Sequence, residues 1–237
     1  MRAGYWPNRT AVNHLPYWER WLDAVGAEGV DLALLPEGFN GCGGEHTMRC
    51  VQPLMGPSGQ LLQRMAKKWG MYVVGTFYAW GNAPNSSDLA YNSAPFFDRN
   101  GTLMGIHNKN ELYDPEEVKT AISTFSFSPI KPQDRPRIAT GKIQKLRFVQ
   151  DYGLSPGRDG FPVFQTDVGR FGVMTCYESW FPETARLLGY KGAEVVLFPS
   201  AGYDARLMPA RAADSGIVLV AATHHDPSMD TVGAEGR

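Results

Sequence analysis

RFGVMTCYESWFPETARLLGYKGAEVVLFPSA, running from Arg170 to Ala201, is read as a strand, a sharp turn carrying Cys176, an amphipathic helix and a second strand. Phe171, Val173 and Met174 make a short β-prone run. Proline is tolerated in a first helical turn and an acidic residue there complements the helix dipole, so Phe181-Pro182-Glu183 signals a helix start. Ala185, Leu187 and Leu188 supply its apolar face, and Gly189 and Gly192 are expected to end it. Glu194 to Phe198 then reads as a buried strand. The unit is βαβ, with a thiol where its first strand turns into its helix. Loops at the carboxyl ends of parallel strands are where α/β proteins place ligands, and a nearby helix N-terminus favours a thiolate or a developing oxyanion. The plainer reading of Cys176 is a buried core cysteine.

Working back toward the start, Trp18, Trp21, Leu22 and Val25 recur at helical spacing between about Tyr17 and Ala27. The apolar run from Val30 to Leu35 reads as a strand covered on both sides, stopped by Pro36-Glu37-Gly38. Glu37 thus follows a buried strand, although an exposed turn carboxylate is the simpler reading of it. A second helix is expected over Leu61 to Trp69 and a strand over Met71 to Tyr78. Ala90 to Phe97 is another strand, Asp98-Arg99-Asn100-Gly101 a hairpin turn by its Asn-Gly signal, and the strand from Thr102 to His107 delivers Lys109. The stretch from Lys109 to Glu117 can also be read as a solvated charged loop. Residues 118–153 have little periodicity and suggest a surface excursion or a lid. Pro162 to Thr166 is expected to pair, through Asp167-Val168-Gly169, with the strand before Cys176. Pro209 to Ala213 reads as a short helix and Ile217 to Ala222 as a fully buried strand, while His224 and His225 read as solvent-facing.

Composition narrows the function classes. A chain of 237 residues with 43% hydrophobic content can bury a substantial core, and one domain over 1–237 is expected. A formal net charge of -1 offers no basic footprint, so a nucleic-acid partner is not expected. No apolar run approaches the roughly 18 residues of a membrane span, which leaves a cytoplasmic setting as the default. Three cysteines, Cys42, Cys50 and Cys176, without CxxC spacing argue against a disulfide framework and for reduced thiols. On a helix Cys42, His46 and Cys50 would share a face suited to zinc, but no fourth ligand is evident and Gly43 and Gly44 weaken a helix there. No metal and no cofactor are expected.

Glu37, Lys109 and Cys176 each lie within about two residues of a predicted strand end. Together they suffice for acyl transfer: a thiolate is the nucleophile, a carboxylate takes and returns a proton, and a fixed ammonium lowers the thiol pKa and receives an oxyanion. No histidine is placed to act as a papain-like base.

The chain resembles the nitrilase superfamily of carbon–nitrogen hydrolases. The resemblance rests on LLPEGF at 34–39, YNSAPFFDRNGTLMGIHNKNELYD at 91–114, GVMTCYESWFPETAR at 172–186, VVLFPSA at 195–201 and ARAADSGIVLVAAT at 210–223, covering about 18–223. It implies an α/β fold, a four-layer αββα sandwich, and a Glu-Lys-Cys triad that falls on Glu37, Lys109 and Cys176. It implies a second, substrate-orienting glutamate after the lysine, assigned to Glu117 with Glu116 as the neighbour to distinguish. Cys-Tyr-Glu at 176–178 is more similar to the amidase and carbamoylase branches than to true nitrilases. The implied activity is hydrolysis of a small amide or carbamoyl amine through a thioester, with the Tyr177 backbone N–H and Lys109 holding the oxyanion. Tyr113, Trp180, Phe181 and Phe39 are expected as pocket walls. A crowded, buried Glu37 is expected to have a raised pKa. A homo-oligomer is implied by resemblance. The superfamily usually has a further strand before the first helix and more after Ala222, so edge strands are expected to be missing at both ends. The alternatives are an N-acyltransferase of the same superfamily and a truncated, non-catalytic scaffold.

Overall fold

The structure, a computed structural model, describes residues 14–41, 50–81, 89–113, 154–202 and 206–224. Helix α1 (Leu15–Ala27) starts beside His14 with Pro16 in its first turn and buries Trp18 and Leu22. Helix α2 (Pro57–Trp69) begins earlier than the apolar pattern predicts, because Pro57 takes the first helical position, and it ends on Gly70 at φ 61°. Both helices cover one face of a five-stranded sheet made of β1 (Leu32–Leu34), β2 (Tyr72–Val74), β3 (Phe77–Trp80), β4 (Ala90–Phe97) and β5 (Leu103–Asn108). β1 runs parallel to β2, while β4 takes β2, β3 and β5 antiparallel.

The strand expected over Met71 to Tyr78 is two strands, β2 and β3, laid along β4. The break falls at Gly75-Thr76. A Cβ on Gly75 would come within 3.0 Å of Leu35 and 3.2 Å of the Phe39 ring, and the buried Thr76 hydroxyl accepts the Gly38 N–H at 3.2 Å. The interruption therefore makes room for the turn that carries Glu37.

The second sheet has the order β6 (Val163–Thr166), β7 (Gly169–Val173), β8 (Val195–Ser200), β9 (Val218–Thr223). β6 and β7 form the expected hairpin, and β7, β8 and β9 are parallel. Helices α3 (Pro182–Tyr190) and α4 (Leu207–Ser215) lie on its outer face around Met174, Leu188, Val196 and Phe198. The inner faces of the sheets meet through Leu34, Val74, Ala94 and Phe96 on one side and Phe164, Phe171, Val173 and Leu197 on the other. The layers are therefore αββα.

Two local expectations are corrected. Gly189 does not end α3, which continues to Tyr190; a Cβ there would sit 2.6 Å from the Ser215 carbonyl oxygen, so its role is to let α3 approach the end of α4. β9 is not fully buried, with Val218 60% and Val220 42% exposed, because no further described strand or layer covers that part of the sheet.

Candidate active site

Strand ends from both sheets converge on one place. Glu37 follows β1, Lys109 follows β5, Cys176 lies three residues past β7, Ala201 follows β8 and His224 follows β9. Glu37 is at their centre, in a turn continued by Gly38 at φ 60°. Its Oε1 accepts from Lys109 Nζ at 2.9 Å and from Asn92 Nδ2 at 2.7 Å, and its Oε2 accepts from the Ala201 N–H at 3.0 Å. The Cys176 thiol faces this carboxylate, whose charge acts on it, and its Sγ donates to the Gly202 carbonyl oxygen at 3.9 Å. His224 Nε2 contacts the Glu37 carbonyl oxygen. Asn92, from the middle of β4, holds both partners of the ion pair, since its own carbonyl accepts the Lys109 N–H at 2.9 Å.

Cys176 has φ 50°, the left-handed region, and is the one non-glycine residue so placed among the described residues. Such strain persists only where the surroundings enforce it, and it concentrates at functional sites. The enforcing structure is a 3-10 turn, Cys176–Trp180, pinned from inside by Glu178 and from outside by Arg211, which donates to the carbonyls of Ser179 (2.8 Å) and Trp180 (3.2 Å). Glu178 is fully buried. It accepts from the Thr175 N–H at 2.6 Å, the Asn110 N–H at 2.7 Å and His107 Nε2 at 2.8 Å, so it ties the cysteine turn to the lysine segment.

The electrostatics differ from the expectation in one respect. Burial alone would raise the Glu37 pKa, but the Lys109 ammonium, its hydrogen bond, the Cys176 thiol and the Ala201 N–H outweigh it and hold the carboxyl below its usual range. The raised value expected for Glu37 is thereby corrected. Burial and the facing Glu37 charge push the Cys176 thiol up, against a smaller opposing pull from Lys109. Burial opposes the Lys109 charge, yet Glu37 and Cys176 more than offset it and raise the ammonium pKa. The resting pocket therefore holds a carboxylate, an ammonium and a neutral thiol. Burial similarly disfavours an ionised Glu178, but His107 and the two backbone N–H groups keep its pKa low.

The sequence matches the carbon–nitrogen hydrolase family over residues 6–231. The chain belongs to that family. Among curated proteins it is similar to the N-carbamoylputrescine amidase of Solanum tuberosum, 29% identical over 189 residues that make up 77% of this chain and 51% of the relative. It is also similar to an omega-amidase of Xenopus laevis, 31% identical over 176 residues, or 73% of this chain and 52% of the relative. The chain thus spans about half the length of these two relatives. Among solved structures, Nit3 of Saccharomyces cerevisiae, a nitrilase-superfamily member, superposes with a TM-score of 0.67 at 25% identity, covering 94% of this chain and 73% of the other. A nitrilase-superfamily amidase of Nesterenkonia sp. AN1 gives 0.66 at 21% identity, covering 92% and 74%, a likeness of fold.

In this family member, Glu37, Lys109 and Cys176 are brought together as their strand-end positions predict. Tyr177 and Trp180 lie on the cysteine turn, and Tyr113 meets the Tyr177 ring edge-on at 5.4 Å, as Phe181 does at 5.4 Å. Tyr113, Trp180 and Phe181 are exposed, forming an aromatic rim. Phe39 is corrected: it is fully buried between Trp18 and Phe77 in the core under α1 and α2, and so is no pocket wall. Glu116 and Glu117 lie outside the described residues, as do Cys42 and His46. Cys50 is disulfide-bonded, contrary to the expectation of reduced thiols, whereas Cys176 is free. Among the described residues no cluster of His, Cys, Asp or Glu is fit to hold a metal, and no helix is long and apolar enough to cross a membrane.

Asn92, His107 and Glu178 were given no role by the sequence, and His224, expected to face solvent, is instead half-buried against the Glu37 turn. Asn92 had a usable signal, an amide inside a strand buried along its whole length. His224 had none beyond its place after an apolar run.

Proposed function

We propose that this chain hydrolyses the carbon–nitrogen bond of a small amide or carbamoyl amine, with Cys176 as nucleophile, Glu37 as acid and base, and Lys109 as oxyanion ligand. The observation that carries the reading is the single buried carboxylate bonded to the Lys109 ammonium and facing the Cys176 thiol, beside a strained backbone at the nucleophile. In the first half-reaction the thiol proton passes to Glu37 as sulfur bonds to the carbonyl carbon, and the oxyanion is held by Lys109 and the Tyr177 N–H. Because Glu37 rests ionised and the thiol protonated, the transfer is uphill and takes place together with attack. Once protonated, Glu37 is a strong acid for its surroundings, which suits donation to the departing nitrogen. Carbon–nitrogen cleavage leaves a thioester. Water then gives a proton to Glu37 and its oxygen to the acyl carbon, and the sulfur leaves and regains that proton.

The names of the relatives support a substrate ending in a carboxamide or carbamoyl group. Glu117 keeps the substrate-orienting role that the family resemblance gives it, with Tyr113, Tyr177 and Trp180 at the rim. The reading treats 1–237 as one catalytic domain and includes self-association through the exposed side of α3, where Tyr190 is 84% exposed and Leu187 41%. It also includes cytoplasmic residence, for which the Cys50 disulfide sets the test: a Cys50 that reacts with alkylating agent at lysis supports it, and a protected one opposes it.

The deciding experiment is an ammonia-release screen over aliphatic amides, carbamoyl amines and nitriles, with mass spectrometry of the trapped acyl-enzyme. Release that disappears in Cys176→Ala, with the acyl group found on Cys176, is expected. Inert thiol chemistry and no release from any class would refute the reading.

A further inference from the structure

Glu111, two residues beyond Lys109, has no part in the chemistry above. It is half-buried, and its Oε2 is enclosed with no donor reaching it. Its carboxyl faces that of Glu178, whose charge acts on it. The Glu178 carboxylate is already the acceptor for Thr175 N–H, Asn110 N–H and His107 Nε2. Two carboxylates in contact cannot both stay ionised, and the one with more donors keeps the charge. Glu178 has three donors from its surroundings, and Glu111 has little beyond its own backbone N–H. This order of donors puts a shared proton on Glu111, with Glu178 as its acceptor.

We propose that Glu111 is a positioning residue, whose carboxylic O–H held against Glu178 keeps the segment after Lys109 docked on the turn that carries Cys176. The inference rests on the reading of Lys109 and Cys176 as reacting groups. Among the described residues, Glu178 on the cysteine turn and His107 on β5 are the titratable groups that act on Glu111, and Lys109 on the same segment is occupied by Glu37. Burial and the Glu178 charge push the Glu111 carboxyl up to about 7, with His107 and the backbone N–H pulling the other way. A folded-state value above the unfolded one near 4.5 means that the contact stabilises fully at acid pH and is lost as pH rises through about 7. Above that point two carboxylates face each other in the clamp, and the lysine segment is pushed off the cysteine turn.

The test compares the 237-residue wild-type chain with Glu111→Gln, whose amide N–H mimics the protonated acid at every pH. Infrared difference spectra are expected to show one carboxylic C=O band that titrates near neutrality in the wild type and is missing from the variant. Amide hydrolysis in the wild type should fall about tenfold per pH unit on the alkaline side, in kcat rather than KM, while the variant stays level there. The rate of Cys176 alkylation by iodoacetamide should carry the same inflection in the wild type alone. This arm and the infrared arm need no turnover, so they stand even if no amide is cleaved. A band that persists in Glu111→Gln, or an alkaline fall in alkylation identical in both proteins, would overturn the proposal.

Discussion

Glu37 is the residue on which the site's charge balance turns. Its partners come from β4 and from the residues just after β5 and β8, so removing its charge leaves the buried Lys109 ammonium without this counter-ion. Breaking a buried pair from one side costs about 3–5 kcal/mol, and Glu37→Gln, which can still offer an amide oxygen to Lys109, should sit at the low end in denaturant melts. The same substitution removes the proton carrier, and a loss of about 10²–10⁴ in kcat is expected in the ammonia-release assay. The pH dependence of stability follows from the direction of the shift. A folded-state pKa below the ordinary 4.5 contributes stability above that value, and the contribution is lost as pH falls through the lower, folded value. Acid melts of wild type and Glu37→Gln should therefore converge toward low pH; a constant gap would mean that the carboxylate is not ionised in the fold.

At the scale of elements, the cysteine turn depends on what lies behind it. α3 and α4 pack against each other on the outer face of the second sheet, and Arg211 of α4 reaches back to the turn's carbonyls. Gly189 sets how close the two helices come, because any Cβ would meet the Ser215 backbone oxygen, which cannot rotate away. Gly189→Ala should cost about 1–3 kcal/mol by thermal or denaturant unfolding, despite the higher helix propensity of alanine. A stabilised variant would show that the helices are free to separate. The periodicity of α3 was legible in the sequence, but Gly189 read as a stop signal, since glycine as helix end and glycine as close contact look alike until the neighbouring helix is in place.

For the whole molecule, the sandwich interior fixes how the two halves of the site face each other. Phe96 packs its ring against Tyr72, Phe164 and Phe171 at centroid separations of 5.9, 4.6 and 6.2 Å, joining the sheet that bears Glu37 and Lys109 to the sheet that bears Cys176. Phe96→Ala should destabilise by about 3–5 kcal/mol through the cavity it leaves. Its midpoint in urea should fall together with the rate of Cys176 alkylation if the sheets hold the site, whereas a lower midpoint with unchanged alkylation would separate the two.

The helix start at Pro182, the hairpin turn at Asp98 to Gly101 and the placing of Glu37, Lys109 and Cys176 after strands were settled by the sequence, because each is a local matter of periodicity, turn chemistry and chain stiffness, whereas the break between β2 and β3 and the start of α2 at Pro57 were not. Phe39 in the core, the low pKa of Glu37 and the exposed side of β9 were not. Nor were Asn92 beside Glu37, His107 on Glu178 or His224 against the Glu37 turn, contacts that join residues 55, 71 and 187 positions apart. No periodicity spans such separations. Burial and the sum of charges around a group exist only once the sheets have stacked, so the tertiary structure alone decided which side chains met.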